Sequence, residues 1–276
     1  MNVKLRMRVA SHNVTWQLGT RFPKSIPLVF VVGYPKSGST WVAQLVAHCL
    51  ELPFPRFSLL PIGCPAVVMG HKRVWKSYPR GVYVVRDGRD AITSQFFYQL
   101  SQIPEGDHPR LTALQRRSFP NLVNKTDLRG VFDDFVARQL VNPIAAHANW
   151  GAHVRSYFEV ANPNMSIVRY EDLRADGVTT LARVVTELSG EPADLDRIRE
   201  AINRFMFGRQ STRRGNLAST AYLRKGKAGD WVNHFTRTAA EIFDRACGDM
   251  LIKMGYERDH SWVESVGATC PTPAAT

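Results

Sequence analysis

No aspartate or glutamate precedes Glu51, although Lys4, Arg6, Arg8, Arg21, Lys24 and Lys36 all do. Acid is short along the whole chain: 24 Asp and Glu stand against 36 Lys and Arg, a net charge of +12 at pH 7. A surface of that sign favours anions, whether nucleic acid, acidic lipid headgroups or a polyphosphorylated small molecule. Cysteine is scarce too. Cys49, Cys64, Cys247 and Cys270 are too few and too scattered for a disulfide scaffold, and none forms a Cys-x-x-Cys pair. That argues against a zinc site of this kind and for a reducing, cytoplasmic compartment. Long apolar runs are missing. The most apolar short run, Leu28 to Val32, falls far below the roughly 20 residues of a membrane span. No stretch of signal-peptide length precedes Pro27. Adsorption to an acidic membrane surface stays open. With 44% hydrophobic and 22% charged residues in 276, global disorder is excluded and a large α/β domain is affordable.

Leu28-Val-Phe-Val-Val32 is β-branched and apolar on both faces, as a buried parallel strand requires. Gly81-Val-Tyr-Val-Val85 and Ser166-Ile-Val-Arg-Tyr170 read the same way. Between and after them lie helical patterns, notably Phe132–Phe135, Trp150–Phe158, Leu181–Leu188, Leu195–Phe205 and Ile242–Met254. Residues 103–130, with Pro104, Pro109 and Pro120, read as a surface excursion, and residues 209–227 as a basic loop without acid. The expectation is one α/β domain over 27–258 with a central parallel sheet flanked by helices. Residues 1–26 form a lead-in and 259–276 a tail.

Gly33-Tyr-Pro-Lys-Ser-Gly-Ser-Thr40 follows the first strand and opens a helix. It is close to a P-loop, yet Ser39 stands where that motif needs lysine, and the lysine has moved inside the loop to Lys36. The anion-binding physics survives: a glycine turn gathers backbone N–H groups, the helix start adds partial positive charge, and Lys36 adds a formal one. No strand ends in a clear metal-holding Asp. Asp87 sits between Arg86 and Arg89, which suggests an ion pair.

Tyr34-Pro-Lys-Ser-Gly-Ser-Thr-Trp41 resembles the 5′-phosphosulfate loop of the sulfotransferases that use 3′-phosphoadenosine 5′-phosphosulfate (PAPS). Tyr83-Val-Val-Arg86 through Ser94 resembles that family's 3′-phosphate segment, and Arg224-Lys225-Gly226 through Thr236 its late loop. Arg169-Tyr170-Glu-Asp-Leu173 and Trp150-x-x-His153-Val154 also fit. The resemblance implies a P-loop-like sulfotransferase fold, PAPS as co-substrate, 3′-phosphoadenosine 5′-phosphate (PAP) as product, and no metal. It places Lys36 on the bridging and sulfonate oxygens, and Ser37, Gly38, Ser39 and Thr40 around the 5′-phosphate. Trp41 and Tyr170 go to the adenine, with Phe207 packing on the base. Arg86, Ser94, Arg224, Lys225 and Gly226 grip the 3′-phosphate. The animal family's dimer motif is largely absent: Val232 replaces Lys, Arg237 replaces Val, and only Thr236 and Glu241 remain.

A hydroxyl acceptor needs a base near neutral pH, for which histidine suits. His71, fifteen residues before Arg86 and after an apolar stretch, resembles the family's catalytic position. His153 reads as packing, and His234 as a lining of the nucleotide edge. The acceptor itself, a small molecule, sugar or lipid, is left open. Two other readings fit the residues less well. A P-loop kinase lacks its Gly-Lys-Ser/Thr and metal Asp. A basic nucleic-acid-binding module lacks a recognition helix or aromatic platform, so no nucleic-acid partner is expected.

Overall fold

The computed structural model describes residues 3–56, 58–101, 128–205 and 228–267. Most of the surface excursion, all of the basic loop with Arg224, Lys225 and Gly226, and Phe207 just before it lie outside the described residues. The elements run α1 (Val3–Arg21), β1 (Leu28–Gly33), α2 (Ser39–Cys49), β2 (Ala66–Gly70), β3 (Gly81–Val85), α3 (Gly88–Ser101), α4 (Leu128–Val141) and α5 (Trp150–Val160). There follow β4 (Met165–Arg169), α6 (Tyr170–Ala175), α7 (Gly177–Ser189), α8 (Leu195–Arg204), a 3-10 turn over Asp230–Asn233, α9 (Arg237–Lys253) and α10 (Trp262–Ser265). They group into two compact units, one of Met1–Arg86 with Ser156–Arg213, the other of Asp87–Arg155 with Arg214–Thr276.

The first unit is built on a four-stranded sheet of order β2-β1-β3-β4, every pair parallel. This is the expected α/β architecture. Strand residues alternate between two faces. Val29, Val31, Val67, Val82, Val84 and Val168 turn to one side, where they pack with Val42, Leu45 and Val46 of α2, Leu181, Val184 and Leu188 of α7, and Ile198 of α8. Phe30 turns to the other. Its ring stacks on Tyr78 at 5.2 Å and meets Trp16 of α1 edge-on at 4.9 Å. Tyr83 on that same side stacks on Tyr157, in the last turn of α5, at 5.1 Å. The segment read as a lead-in is thus a helix whose Trp16 is 3% exposed. β2 is a fourth strand that the periodicity did not single out, five residues framed by Pro65 and His71. The starts of α7 and α8 are capped by Asp176 and Asp194, whose carboxylates accept backbone N–H bonds.

The second unit is helical. Phe96 of α3 meets Phe132 and Phe135 of α4 at 5.0 and 5.4 Å, and Trp150 of α5 meets Phe243 of α9 at 5.9 Å. Gly88 opens α3 where a Cβ would lie 2.4 Å from the Trp150 ring, so no side chain fits there. Asp87 is indeed ion-paired, with Arg89 at 2.7 Å. That buried guanidinium also bonds Glu257 and lies 3.7 and 4.6 Å from the ring centroids of Trp231 and Trp262. The Asp90 carboxylate accepts the N–H of Gly229 at 2.7 Å and of Trp231 at 3.0 Å.

Candidate active site

The strand order reverses direction at β1: the chain moves to β2 on one side, then to β3 on the other. In an open parallel sheet such a switch point leaves a crevice at the carboxyl ends of the strands, where ligands bind. All four carboxyl ends here deliver a residue that the sequence singled out. β1 leads into the Lys36 loop, β2 into His71, β3 into Arg86 and β4 into Tyr170.

The β1 loop turns sharply. Lys36 has φ 70° and Gly38 φ 90°, both left-handed, which for a non-glycine residue costs about 1–2 kcal/mol. A turn of this kind collects N–H groups on its concave side, and α2 begins at once with Ser39, behind an N-cap, Gly38, that offers no side chain. The first N–H groups of α2 and its positive dipole end are left for a ligand. The Oγ atoms of Ser37 and Ser39 and Nε1 of Trp41 are buried with no hydrogen-bond partner among the described residues. Buried polar atoms are normally paired, so this cluster of donors suits an anion rich in acceptor oxygens.

Lys36 and Arg86 converge. The Arg86 guanidinium donates to the Lys36 carbonyl at 3.3 Å, and Arg86 is 9% exposed. Burial, then the charge of Arg86, lowers the Lys36 amine to about 8. Arg86 lowers the affinity of Lys36 for a proton, and a multiply charged anion would be attracted to both cations. The Tyr170 ring completes the wall. Its centroid lies 4.7 Å from the Arg86 guanidinium and 5.8 Å from the Trp41 ring, edge-on. Gly38 passes so close that a Cβ there would meet the Tyr170 ring at 2.7 Å. Gly38→Ala combines that clash with a left-handed φ, so it is expected to lower thermal stability, read by melting temperature.

His71 follows β2 directly. Val32 pairs with Gly70 across the sheet, which sets His71 beside Gly33, and its Nδ1 lies 2.7 Å from the Gly33 carbonyl oxygen. A carbonyl only accepts, so Nδ1 carries the proton and Nε2 keeps its lone pair. Burial lowers the His71 pKa, against the pull of the Gly33 bond, and the charges of Arg56 and Lys36 lower it further. The imidazole is therefore neutral at pH 7 and can accept a proton. Sequence reasoning missed both the Gly33 carbonyl and Arg56. The carbonyl is signalled only by strand pairing and Arg56 only by the path of the loop before β2, neither of which a local pattern encodes.

The remaining sites fall elsewhere. Ser94 is half-buried on α3 of the second unit. There His153 is fully buried, in keeping with a packing role, and His234 lies 3.3 Å from Asp230 and against Phe97. Among the described residues no group of His, Cys, Asp and Glu is arranged to hold a metal ion, and no helix is long and apolar enough to cross a membrane.

Comparison with known proteins points one way. The family described as "Sulfotransferase domain" matches residues 65–255, a span that holds His71, Arg86, Ser94 and Tyr170 but not the Lys36 loop. Human sulfotransferase 2B1 is 23% identical over 245 residues, covering 79% of this chain and 64% of that protein. Rabbit amine sulfotransferase is 23% identical over 257 residues, covering 79% and 78%. Among solved structures, mouse sulfotransferase SULT7A1 complexed with PAP shares the fold with a TM-score of 0.58 at 20% identity, over 86% of this chain and 88% of that one. Retinol dehydratase in complex with androsterone and inactive cofactor PAP does so at 0.57 and 18% identity, over 96% and 88%. With its parallel sheet, its switch-point crevice and a match over more than half its length, the chain belongs to the sulfotransferase-domain family and is an enzyme of that class.

Proposed function

We propose that the protein transfers the sulfo group of PAPS to an acceptor hydroxyl, with His71 as general base and Lys36 stabilising the leaving phosphate. The observation that carries this reading is the joint placement of Lys36, Arg86 and His71 at the carboxyl ends of β1, β3 and β2. The orphaned Ser37 and Ser39 hydroxyls fit a phosphate group, as does the uncapped start of α2. PAPS supplies an activated sulfo group on a phosphate leaving group. The chain's own residues supply charge and proton management. Ser37, Gly38, Ser39 and Thr40 surround the 5′-phosphate with N–H and hydroxyl donors. Lys36, whose amine is lowered to about 8 and is mostly charged at neutral pH, gains a counter-charge as the anion arrives. Arg86 binds the 3′-phosphate, and Trp41 and Tyr170 border the base. His71 draws the acceptor's proton onto Nε2 while Gly33 holds the ring through Nδ1. Positioning and fixed charge carry most of the rate, as in phosphoryl transfer. Ser94, Phe207, Arg224, Lys225 and Gly226 complete the donor site in this reading.

The free thiols of Cys49, Cys64 and Cys247 support a cytoplasmic setting. Arg237, which stands in the animal dimer motif, is engaged within the chain by Glu241 at 2.7 Å, which favours another mode of association. The acceptor is a small molecule, a sugar or a lipid; the retinol dehydratase structure is a complex with androsterone.

In EDTA, saturating PAP is expected to raise the melting temperature by about 5 °C, since 100-fold excess over Kd contributes roughly 2.7 kcal/mol. ATP with magnesium should give much less. The opposite ranking would favour a kinase and sink this reading. Transfer is then followed by mass shift of candidate acceptors incubated with labelled PAPS.

A further inference from the structure

Residues 1–86 hold a single acid, Glu51, and its carboxylate is bonded to Arg197 of α8 at 2.6 Å. Two basic side chains stand beside His71 at the carboxyl end of β2. His12 comes from α1. Its Nε2 lies 3.4 Å from the point that a Cβ on Gly70 would take, and Gly70 is the residue before His71. One turn on, Trp16 packs on the same glycine, with its ring 5.1 Å from the His12 ring. Lys72, the residue after His71, lays its Nζ over that indole at 5.2 Å from the centroid. An indole face attracts an ammonium but leaves its charge in place. His12 and Lys72 are both half-buried, and neither has a carboxylate partner among the described residues. Burial alone lowers the Lys72 pKa. Burial, then the charges of Lys72 and His71, lowers that of His12.

We propose that the acceptor carries an anionic group, a carboxylate, phosphate or sulfate, and that Lys72 and His12 receive it while the acceptor hydroxyl lies against Nε2 of His71. This rests on the reading of His71 as base. The anionic group takes no part in the transfer itself. The acceptor oxygen bonds to sulfur, the bond from sulfur to the 5′-phosphate oxygen breaks, PAP leaves with that electron pair, and Nε2 takes the proton. What the group supplies is position. Lys72 follows His71 in sequence, so an anion held at one brings a hydroxyl a few bonds away to the other. A half-buried ammonium without a counter-charge is costly to bury further. A neutral acceptor that covers Lys72 is therefore disfavoured, and an amine is repelled. An anion turns the same burial to advantage, because the attraction strengthens as water leaves. It also draws a proton onto His12, which adds a second charge.

The test uses the full chain, labelled PAPS and two matched sets of acceptors. One set is 4-hydroxyphenylacetate, its neutral amide and tyramine. The other is glucuronate and glucose 6-phosphate against glucose and glucosamine, which also separates a carboxylate from a phosphate. The anionic members are expected to exceed the neutral ones in kcat/KM by at least about tenfold, with the amines last. Lys72→Gln should reduce that ratio to within about threefold, and Lys72→Glu should invert it in favour of the amines. His12→Gln should lower it by a smaller factor. The PAP-induced melting shift should keep its wild-type size in all three variants, since neither residue belongs to the proposed donor site. Where turnover is too slow to rank, titration calorimetry of the same compounds into PAP-loaded protein reads the same ratios. An equal or reversed ranking in the wild type overturns the proposal. So do a ranking unmoved by Lys72→Glu, an equal loss of PAP affinity in Lys72→Gln, and no binding of any anionic member. Failure of the underlying reading shows differently, as no PAP shift in the wild type or as normal turnover in His71→Ala.

Discussion

Replacing Lys36 by Ala is expected to lower turnover by about 10²–10³-fold, the usual cost of removing one preorganised charge donor from a reacting oxygen. The effect has its own pH signature. Burial and the neighbouring Arg86 hold the Lys36 amine at about 8 in the free protein. Below that pH the amine is charged and attracts the donor. As pH rises through 8 it becomes neutral, so PAP affinity should fall. Lys36→Arg, whose guanidinium stays charged throughout, should lose this slope while retaining affinity. Titration calorimetry of PAP from pH 6.5 to 9.5 reads both variants. A wild-type slope surviving in Lys36→Ala would remove Lys36 from the donor site.

His71→Ala is expected to lower turnover by about 10²–10⁴-fold and leave PAP affinity within about twofold. The split follows from geometry. His71 stands on the β2 side of the switch point and is held through Gly33, while the groups proposed to bind phosphate belong to the β1 loop and Arg86. A base works only unprotonated, so kcat/KM should fall as pH drops through the His71 pKa. Burial, Arg56 and Lys36 place that pKa below its ordinary value. The acid limb therefore lies below pH 6.5, and it should be missing from the residual activity of His71→Ala. Arg56→Gln removes one of the charges that lower it, and should move the limb to higher pH with little change in its height. Normal turnover in His71→Ala would end its role as base.

Part of this protein was legible residue by residue because its chemistry is local. The β1 strand, the loop from Gly33 to Gly38 and the opening of α2 are contiguous, so the anion-binding turn is written into one unbroken stretch of sequence. Arg86 was legible because a strand of five apolar residues ends beside it. His71 was nominated by its place in a resemblance, whereas its tautomer and basicity came from a carbonyl 38 residues away.

The elements that escaped were those whose reason lies in partners far along the chain. β2 is short and lies among prolines and glycines. It is a strand because β1 offers it a full edge of N–H and C=O groups. α1 shows no apolar inward face in sequence. It is held mainly by one tryptophan packed edge-on against the stacked rings of Phe30 and Tyr78, a contact that no helical periodicity reveals. Trp262, assigned to a tail, is buried against Arg89 for the same reason.

Composition and local motif determined the class: a basic α/β chain with a phosphate turn and the residues to grip an anion. Only the tertiary structure decided the strand order, and with it the crevice where Lys36, Arg86, His71 and Tyr170 share one end of the sheet. Backbone hydrogen bonding makes strands locally, but which strands become neighbours depends on burying both faces of the sheet at once. That is a property of the whole packed unit, absent from any single segment.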